Sequence, residues 1–439
     1  MEANRLKKVL IRGFVGSGAL RFGFAFLSFL LTISLARMLQ PEGYGVYSFV
    51  FAVAYLLAVP AQAGVPGLLV RQVALYSSRA EWGLLRGMLW RSSQMICFLS
   101  LALAACLVIG SYMLDGNSER FYTFLWAALL IPLVAFNSAR SAVLRGLNKV
   151  VKGQLPEMLL APLFFLVLIW IVQYFQQLTP TMAIALNCLA LAASFSVGSA
   201  ILNRNLPKEV GSAQAFYDSK AWLKSILPFA LIAGMQVINL QVSVVSLGMF
   251  SNDYETGLFR VAFQTANLVS LVLIALNTVV SPRITQMFYA GNQSELQKMV
   301  TWSARLGLLV ATPIAVVFVF YGDWVLVSIF GSKYEGADEA LILLTCGQLF
   351  SVFMGPVAVL LNMTGNEQVT LKGMAFAVFI NVMLNLSLTP TLGITGAAIS
   401  SMVSLIALNA SLGLLTRKYL AINSVAIMKL SKVGVKREG

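Results

Sequence analysis

The 439-residue sequence predicts an all-α integral membrane protein with twelve transmembrane helices. Three observations lead to this fold class: the composition, the length of the apolar blocks and the distribution of charge. Hydrophobic residues make up 59% of the chain and charged residues 11%. Soluble domains contain about 45–50% apolar and about 25% charged residues. The surplus of apolar surface requires lipid around it.

The apolar residues fall into blocks that are each long enough to cross about 30 Å of hydrocarbon as a helix. Polar residues, glycines and prolines separate the blocks. The predicted spans are 14–36, 46–69, 93–114, 121–139, 157–176, 181–202, 226–250, 258–281, 301–321, 340–362, 373–390 and 394–416.

Three segments need a separate interpretation. The basic start of the chain runs into an apolar stretch over 14–39, which is too long for the core of a signal peptide and is therefore taken as the first span. Residues 323–339 are apolar and then charged, which favours a short interfacial helix on the outer surface. Residues 76–91 form a basic, Trp-bearing counterpart on the cytoplasmic side.

The charges orient the spans. With the N-terminus inside, the inner segments carry 26 of the 31 Lys and Arg residues, and the outer loops carry three. Two more, Arg21 and Arg260, fall within or next to spans. This bias is the positive-inside rule, and it places both termini in the cytoplasm. The sequence therefore predicts a multi-pass protein of a cell (inner) membrane.

The second half of the chain repeats the first at an offset of 212 residues. Six helices per half is an even number, so both halves start inside and form a parallel repeat. The matched pairs are Gly45 with Gly257, Arg71 with Arg283, Arg86 with Lys298, and Trp90 with Trp302. The predicted domains are an N-terminal six-helix bundle (1–205), a cytoplasmic linker (206–225), a C-terminal six-helix bundle (226–416) and a basic cytoplasmic tail (417–439).

The sequence argues against an enzyme. It has no His, and its four Cys are scattered through apolar blocks without metal-ligand spacing. It contains no P-loop, GxSxG or HExxH motif. No segment outside the spans exceeds about 25 residues, which is too short for a soluble catalytic domain. We expect no catalytic residue, no cofactor, no metal site and no nucleic-acid partner.

Two arginines fall where a charge is costly. Arg21 lies inside the first span, and Arg260 lies at the start of the eighth. Each either faces a hydrated cavity or avoids lipid, Arg21 by snorkelling and Arg260 by pairing with Asp253 or Glu255. No Asp or Glu lies deep in any predicted span. A cavity arginine would then lack a counter-charge and would favour an anionic ligand.

Further candidate binding residues are cations at the cytoplasmic ends of helices and amides within spans. The cations either anchor the helices at the membrane–water interface or collect phosphate at the cytoplasmic entrance of a transport pathway. The amides either bond neighbouring helices or line a hydrated cavity that accepts sugar hydroxyls. The cations are Arg71, Arg140 and Arg283, and the amides are Asn239, Gln264 and Asn267.

Several segments carry a resemblance to a known family. They are LARMLQPEGYGVYSF (35–49), AGVPGLLVRQVA (63–74), ETGLFRVAFQ (255–264), IFGSKYEGADEAL (329–341) and the run 381–400. In this order they resemble the polysaccharide transporter family of the multidrug/oligosaccharidyl-lipid/polysaccharide exporter superfamily.

The resemblance implies two six-helix bundles around a central cavity. It also implies a flippase that moves polyprenyl-pyrophosphate-linked oligosaccharide to the outer leaflet for O-antigen, lipopolysaccharide or related surface-polysaccharide biosynthesis. Family members bind the pyrophosphate with cationic cavity residues, a role that Arg21 and Arg260 could take. The polymerase and glycosyltransferases of the pathway would be partners of a monomer. Two alternatives stay open: a cation-coupled drug or metabolite antiporter, which generally needs intramembrane acids, and a membrane polysaccharide polymerase.

Overall fold

A computed structural model describes residues 2–116 and 118–426. Within those ranges the chain is helical and contains no strands. Its helices are α1 (Glu2–Gln62), α2 (Val65–Ser78), α3 (Trp82–Asp115), α4 (Glu119–Ala128), α5 (Leu130–Gly146), α6 (Val150–Leu155), α7 (Ala161–Phe175), α8 (Pro180–Asn205), α9 (Lys208–Ser212), α10 (Ser219–Phe250), α11 (Asp253–Tyr289), α12 (Gln293–Phe320), α13 (Gly322–Phe330), α14 (Asp338–Met354), α15 (Val357–Met363) and α16 (Glu367–Leu420).

The helices account for twelve candidate spans in the described ranges. Nine helical stretches there are long and apolar enough to cross a membrane, and the pair α14–α15, bent by 43°, makes a tenth. Two of the nine contain a non-helical residue where two helices meet, Gln40 in α1 and Gly393 in α16. If the helices on either side of Gln40 and Gly393 are counted separately, the ten stretches become twelve. The predicted class, an all-α multi-span membrane fold, is confirmed.

Some predicted boundaries are wrong. The predicted span 46–69 is interrupted at Ala63 and Gly64, which both have positive φ (46° and 74°), so α1 ends and α2 begins there. The helix predicted within 323–339 is present as α13, and the turn after it packs into the protein. Gly331 there has a φ of 111°, and Tyr334 is only 1% exposed.

Two compact units make up the chain. Unit 1 comprises residues 1–248 and 252–257, and unit 2 comprises residues 249–251 and 258–439. The division predicted from the sequence, with a linker over 206–225, remains a prediction. Residues 427–439 of the predicted tail lie outside the described residues.

In unit 1, the segment that follows α8 is bound to α3. Arg86 donates from Nη1 to the carbonyls of Gly211 (2.8 Å) and Ala213 (2.7 Å). The Phe216 amide donates to the Gly83 carbonyl at 3.0 Å. Charge-assisted bonds of this kind are stronger than neutral ones. The segment is therefore held along the first turns of α3.

Unit 1 also contains a reciprocal contact between repeat-related glycines. A Cβ at Gly45 would overlap the backbone carbonyl of Asp253, and a Cβ at Gly257 would overlap that of Pro41. The four positions form two pairs at the 212-residue offset. Only glycine permits this closeness of backbones.

In unit 2, a buried apolar core joins α11, α12 and α14–α16, and the residues after α16 belong to it. Ile422 is 2% exposed. The Asn423 amide donates to Gln297 Oε1 at 2.8 Å, and Arg305 Nε donates to the Ala426 carbonyl at 2.9 Å. Segment 421–426 is thus fixed against α12.

Candidate functional site: charged and polar residues within the spans

A buried arginine marks the interior of unit 1. Arg140 lies on α5, six residues before the helix ends, and is 4% exposed. Its Nη2 donates to Asn137 Oδ1 at 3.1 Å. Asn137 in turn donates to the carbonyls of Leu133 (3.0 Å) and Leu191 (3.3 Å), which fixes its orientation. A charge in such a place is rare in membrane proteins and requires partners.

The arginine shares its surroundings with a carboxylate. Glu157 lies on a π-helical turn (Pro156–Leu160) and interacts electrostatically with Arg145 and Arg140. The Ser141 side chain hydrogen-bonds to it. We call Arg140, Arg145, Glu157, Asn137 and Ser141 the α5 cluster. With Glu157 ionised, it holds two positive charges and one negative charge.

Glu157 lies near the start of a helix that is long and apolar enough to cross a membrane. In the structure it lies within the apolar stretch Val150–Phe175. In the π-helical turn the Ala161 amide donates to the Pro156 carbonyl, and Ser194 Oγ also donates to that carbonyl at 2.5 Å. In the sequence, Glu157 is the first residue of the predicted span 157–176.

A glycine makes room for the buried guanidinium. A Cβ at Gly198 on α8 would overlap the Arg140 side chain. Arg140 Nε and Nη1 have no hydrogen-bond partner in the described part of the chain, and neither does Arg145 Nε. The cluster therefore presents spare donors, which suits it to negative charge.

The other predicted arginines are more accessible. Arg21 on α1 and Arg71 on α2 are exposed in unit 1, and Arg283 on α11 is exposed in unit 2. Arg260, also on α11, is half-buried. Only Arg140 among the predicted cations is buried. The substrate-binding roles of all five stay predictions.

The three predicted amides divide between the units. Asn239 on α10 is half-buried in unit 1. Gln264 and Asn267 follow Arg260 on α11 at helical spacing, so the three share one face. Asn267 Oδ1 accepts from Gln348 Nε2 of α14 at 2.7 Å. At least this amide serves to bond two helices.

Elsewhere in unit 1, an ion pair joins the first turns of α4 and α11. Arg120 Nη2 binds Asp253 Oδ1 at 3.0 Å and the Gly248 carbonyl at 3.1 Å. Its guanidinium lies 4.6 Å from the centre of the Phe49 ring. Sequence reasoning considered Asp253 as a partner of Arg260 and missed Arg120.

No group of three or more His, Cys, Asp or Glu side chains that could hold a metal ion is found among residues 2–116 and 118–426.

Comparison with solved structures defines the class of protein. The chain superposes on an inward-facing multidrug resistance MATE family transporter of the MOP superfamily with a TM-score of 0.70, at 16% identity, over 91% of this chain and 94% of that one. It superposes on the lipid II flippase MurJ, in an inward closed conformation, with a TM-score of 0.69, at 13% identity, over 93% of this chain and 87% of that one. The fold is that of a multi-helix membrane transporter.

The family follows from the sequence profiles. The profile described as "Polysaccharide biosynthesis protein" matches residues 13–288, and the profile described as "MatE" matches residues 228–391. The first match covers more than half of the chain. The chain belongs to the polysaccharide biosynthesis protein family, which confirms the resemblance noted in the sequence.

Three relatives match part of the chain, and the names of two of them agree with this assignment. They are the "Uncharacterized membrane protein MJ1068" of Methanocaldococcus jannaschii (26% identical over 32% of this chain), the "Probable low-salt glycan biosynthesis flippase Agl15" of Haloferax volcanii (22% over 37%) and the "Capsular polysaccharide biosynthesis protein CapF" of Staphylococcus aureus (21% over 40%). The matches span 28%, 34% and 45% of the relatives' own lengths.

Proposed function

We propose that this protein is a flippase for lipid-linked oligosaccharide. Its cargo would be a polyprenyl-pyrophosphate-linked repeat unit, moved from the cytoplasmic to the outer leaflet for O-antigen-like surface polysaccharide, by alternating access. The observation that carries the proposal is the family match over residues 13–288. The names of Agl15, a glycan biosynthesis flippase, and of MurJ, a lipid II flippase, support it.

The proposed cargo would account for the arginines and amides predicted as binding residues. A diphosphate passing through a low-dielectric path needs cations, and Arg21 and Arg260 are the proposed ligands. Arg71 and Arg283 are accessible and would collect phosphate at the inner mouth. The amides Asn239 and Gln264 would bind sugar hydroxyls. The prenyl chain would remain in lipid.

The proposed setting is a cell (inner) membrane with both termini in the cytoplasm, as the excess of inner Lys and Arg indicates. In lipopolysaccharide-producing cells, the polymerase and glycosyltransferases of the pathway would be the partners of a monomer.

The test is flipping of a fluorescent polyprenyl-pyrophosphate oligosaccharide by protein reconstituted in liposomes. We expect Arg21→Ala and Arg260→Ala each to lower the rate by about tenfold or more, because a charge-assisted bond is worth about 1.5–3 kcal/mol. The matched control is Arg79→Ala, an exposed arginine at the end of α2 that is not a proposed ligand. If wild-type protein moves no such lipid, the proposed function is wrong. If both variants match the control, the pyrophosphate binds elsewhere.

A second candidate function is a cation-coupled exporter of drugs or metabolites. The "MatE" match over residues 228–391 favours it, and so does Glu157, an acid within a span. The same liposomes separate the two proposals. Uptake of a cationic dye driven by a proton or sodium gradient, without lipid flipping, would support the exporter.

A further inference from the structure

A groove opens on unit 1 between α2, α3 and the first turns of α10. Its volume is about 350 Å³. The polar part of its lining includes Arg91 and Gln94 on α3, and the apolar part includes Phe98, Leu223 and Ile226. The proposed flippase activity gives this groove no role.

The groove lies at the depth of lipid headgroups. Residues 95–114 of α3 contain no charged side chain and are followed by Asp115. These twenty residues span about 30 Å at about 1.5 Å each, which is the thickness of the hydrocarbon layer. Arg91 and Gln94, immediately before this run, therefore lie at the membrane surface where α3 begins.

The positive charge of Arg91 favours an anionic ligand in the groove. Arg91 is exposed, and its Nη1 lies 3.4 Å from Gln94 Oε1. No acidic side chain is among the residues that line the groove in the described part of the chain. An arginine with free donors at this depth suits a phosphate group.

The rest of the groove suits an acyl chain. Phe98 is 74% exposed and Leu223 59% exposed, and Phe98 lies in the uncharged run of α3. The wall is preformed, since buried Trp222 of α10 donates from Nε1 to Tyr76 Oη at 2.9 Å. Binding would therefore cost little ordering of the protein.

We propose that this groove holds an anionic phospholipid from the leaflet at which α3 begins. Its phosphate would bind Arg91, and one acyl chain would lie against Phe98 and Leu223. The lipid would be a resident ligand of unit 1 and not the transported cargo.

Native mass spectrometry of the purified full-length protein tests the proposal. The protein is equilibrated with equal amounts of phosphatidylglycerol and phosphatidylcholine, and the bound ratio is measured. We expect wild type to retain one phosphatidylglycerol preferentially, and Arg91→Gln to lower that preference by about tenfold. Arg91→Lys should keep most of it, because the charge remains. Arg79→Gln removes the same charge outside the groove and should leave the ratio unchanged.

Two outcomes would overturn the proposal. One is an equal lipid ratio in Arg91→Gln and wild type. The other is displacement of phosphatidylglycerol by a polyprenyl diphosphate in an Arg91-dependent manner, since the groove would then bind cargo. Thermal unfolding of each variant confirms that the ratios compare folded proteins. Neither readout depends on flipping, so the lipid proposal and the flippase proposal fail independently.

Discussion

At the scale of single residues, the α5 cluster shows why sequence alone locates charges poorly. Arg140 could be identified as a candidate because it directly follows the predicted span 121–139. The burial of Arg140 could not be predicted, because it depends on which neighbouring helix leaves room for the side chain. Here the neighbour is Gly198, fifty-eight residues away in the sequence. The proximity of Glu157 to Arg140 and Arg145 could not be predicted either, because their segments meet only in the folded chain.

The carboxylate of the α5 cluster should be important for stability. Glu157→Gln would remove the negative charge that offsets Arg140 and Arg145 within the α5 cluster. Loss of compensation for a buried polar group costs about 1–3 kcal/mol, and because Glu157 is only half-buried we expect about 1–2 kcal/mol. The measurement is thermal or denaturant unfolding in detergent.

The matched control for this substitution is Glu295→Gln. Glu295 also pairs with a cation, Lys298 at 3.0 Å, but its side chain is 61% exposed. An exposed pair contributes about 0–1 kcal/mol, so the control should unfold close to wild type. Equal losses in both variants would mean that Glu157 does not stabilise the buried arginines.

At the scale of helices, the type of the elements was predictable and their interruptions were not. Apolar length specifies a span, and a membrane leaves helices as the simplest way to satisfy the backbone. The interruptions between helices depend on the backbone conformation of individual residues. Ala63 and Gly64 adopt positive φ where α2 begins, a position that Pro66 only hints at. The bend between α14 and α15 falls at Gly355, with a φ of 74°.

The attachment of segment 211–216 to α3 depends on one side chain. Arg86→Gln removes the cation that binds the carbonyls of Gly211 and Ala213, so we expect the segment to detach more often. Limited proteolysis next to Lys208 should then become about tenfold faster, as expected for the loss of about 1.4 kcal/mol of local stability. Arg79→Gln removes a cation from the turn between α2 and α3, and this variant should be digested at the wild-type rate. Unchanged proteolysis of Arg86→Gln would show that the backbone contacts suffice.

At the scale of the whole molecule, composition and charge pattern predicted a multi-span membrane protein, with which the fold agrees, and the resemblance predicted the family that the profile match shows. Substrate identity is beyond the same reasoning. Recognition of a glycan would depend on amides such as Gln264, whose side chains serve helix packing equally well.

The proposed cargo would make the proposed flippase activity sensitive to membrane voltage. Outward movement of an anion is favoured by an inside-negative potential, by about 2.3 kcal/mol per charge per 100 mV. We expect flipping in liposomes to accelerate when a potassium gradient with valinomycin imposes that polarity, and to slow when the gradient is reversed. Liposomes without valinomycin are the control. A rate that ignores the potential would require another source of energy.

The reciprocal glycine contact has a consequence for the ancestry of the chain. Gly45 meets Asp253, and Gly257 meets Pro41, so each copy of one patch touches the other copy. Such a contact has the form of an isologous interface, in which a surface is complementary to itself. A half-length ancestor carrying the patch once would form a homodimer, because the patch is complementary to itself. Fusion of the two genes would then have preserved a dimer interface inside one polypeptide.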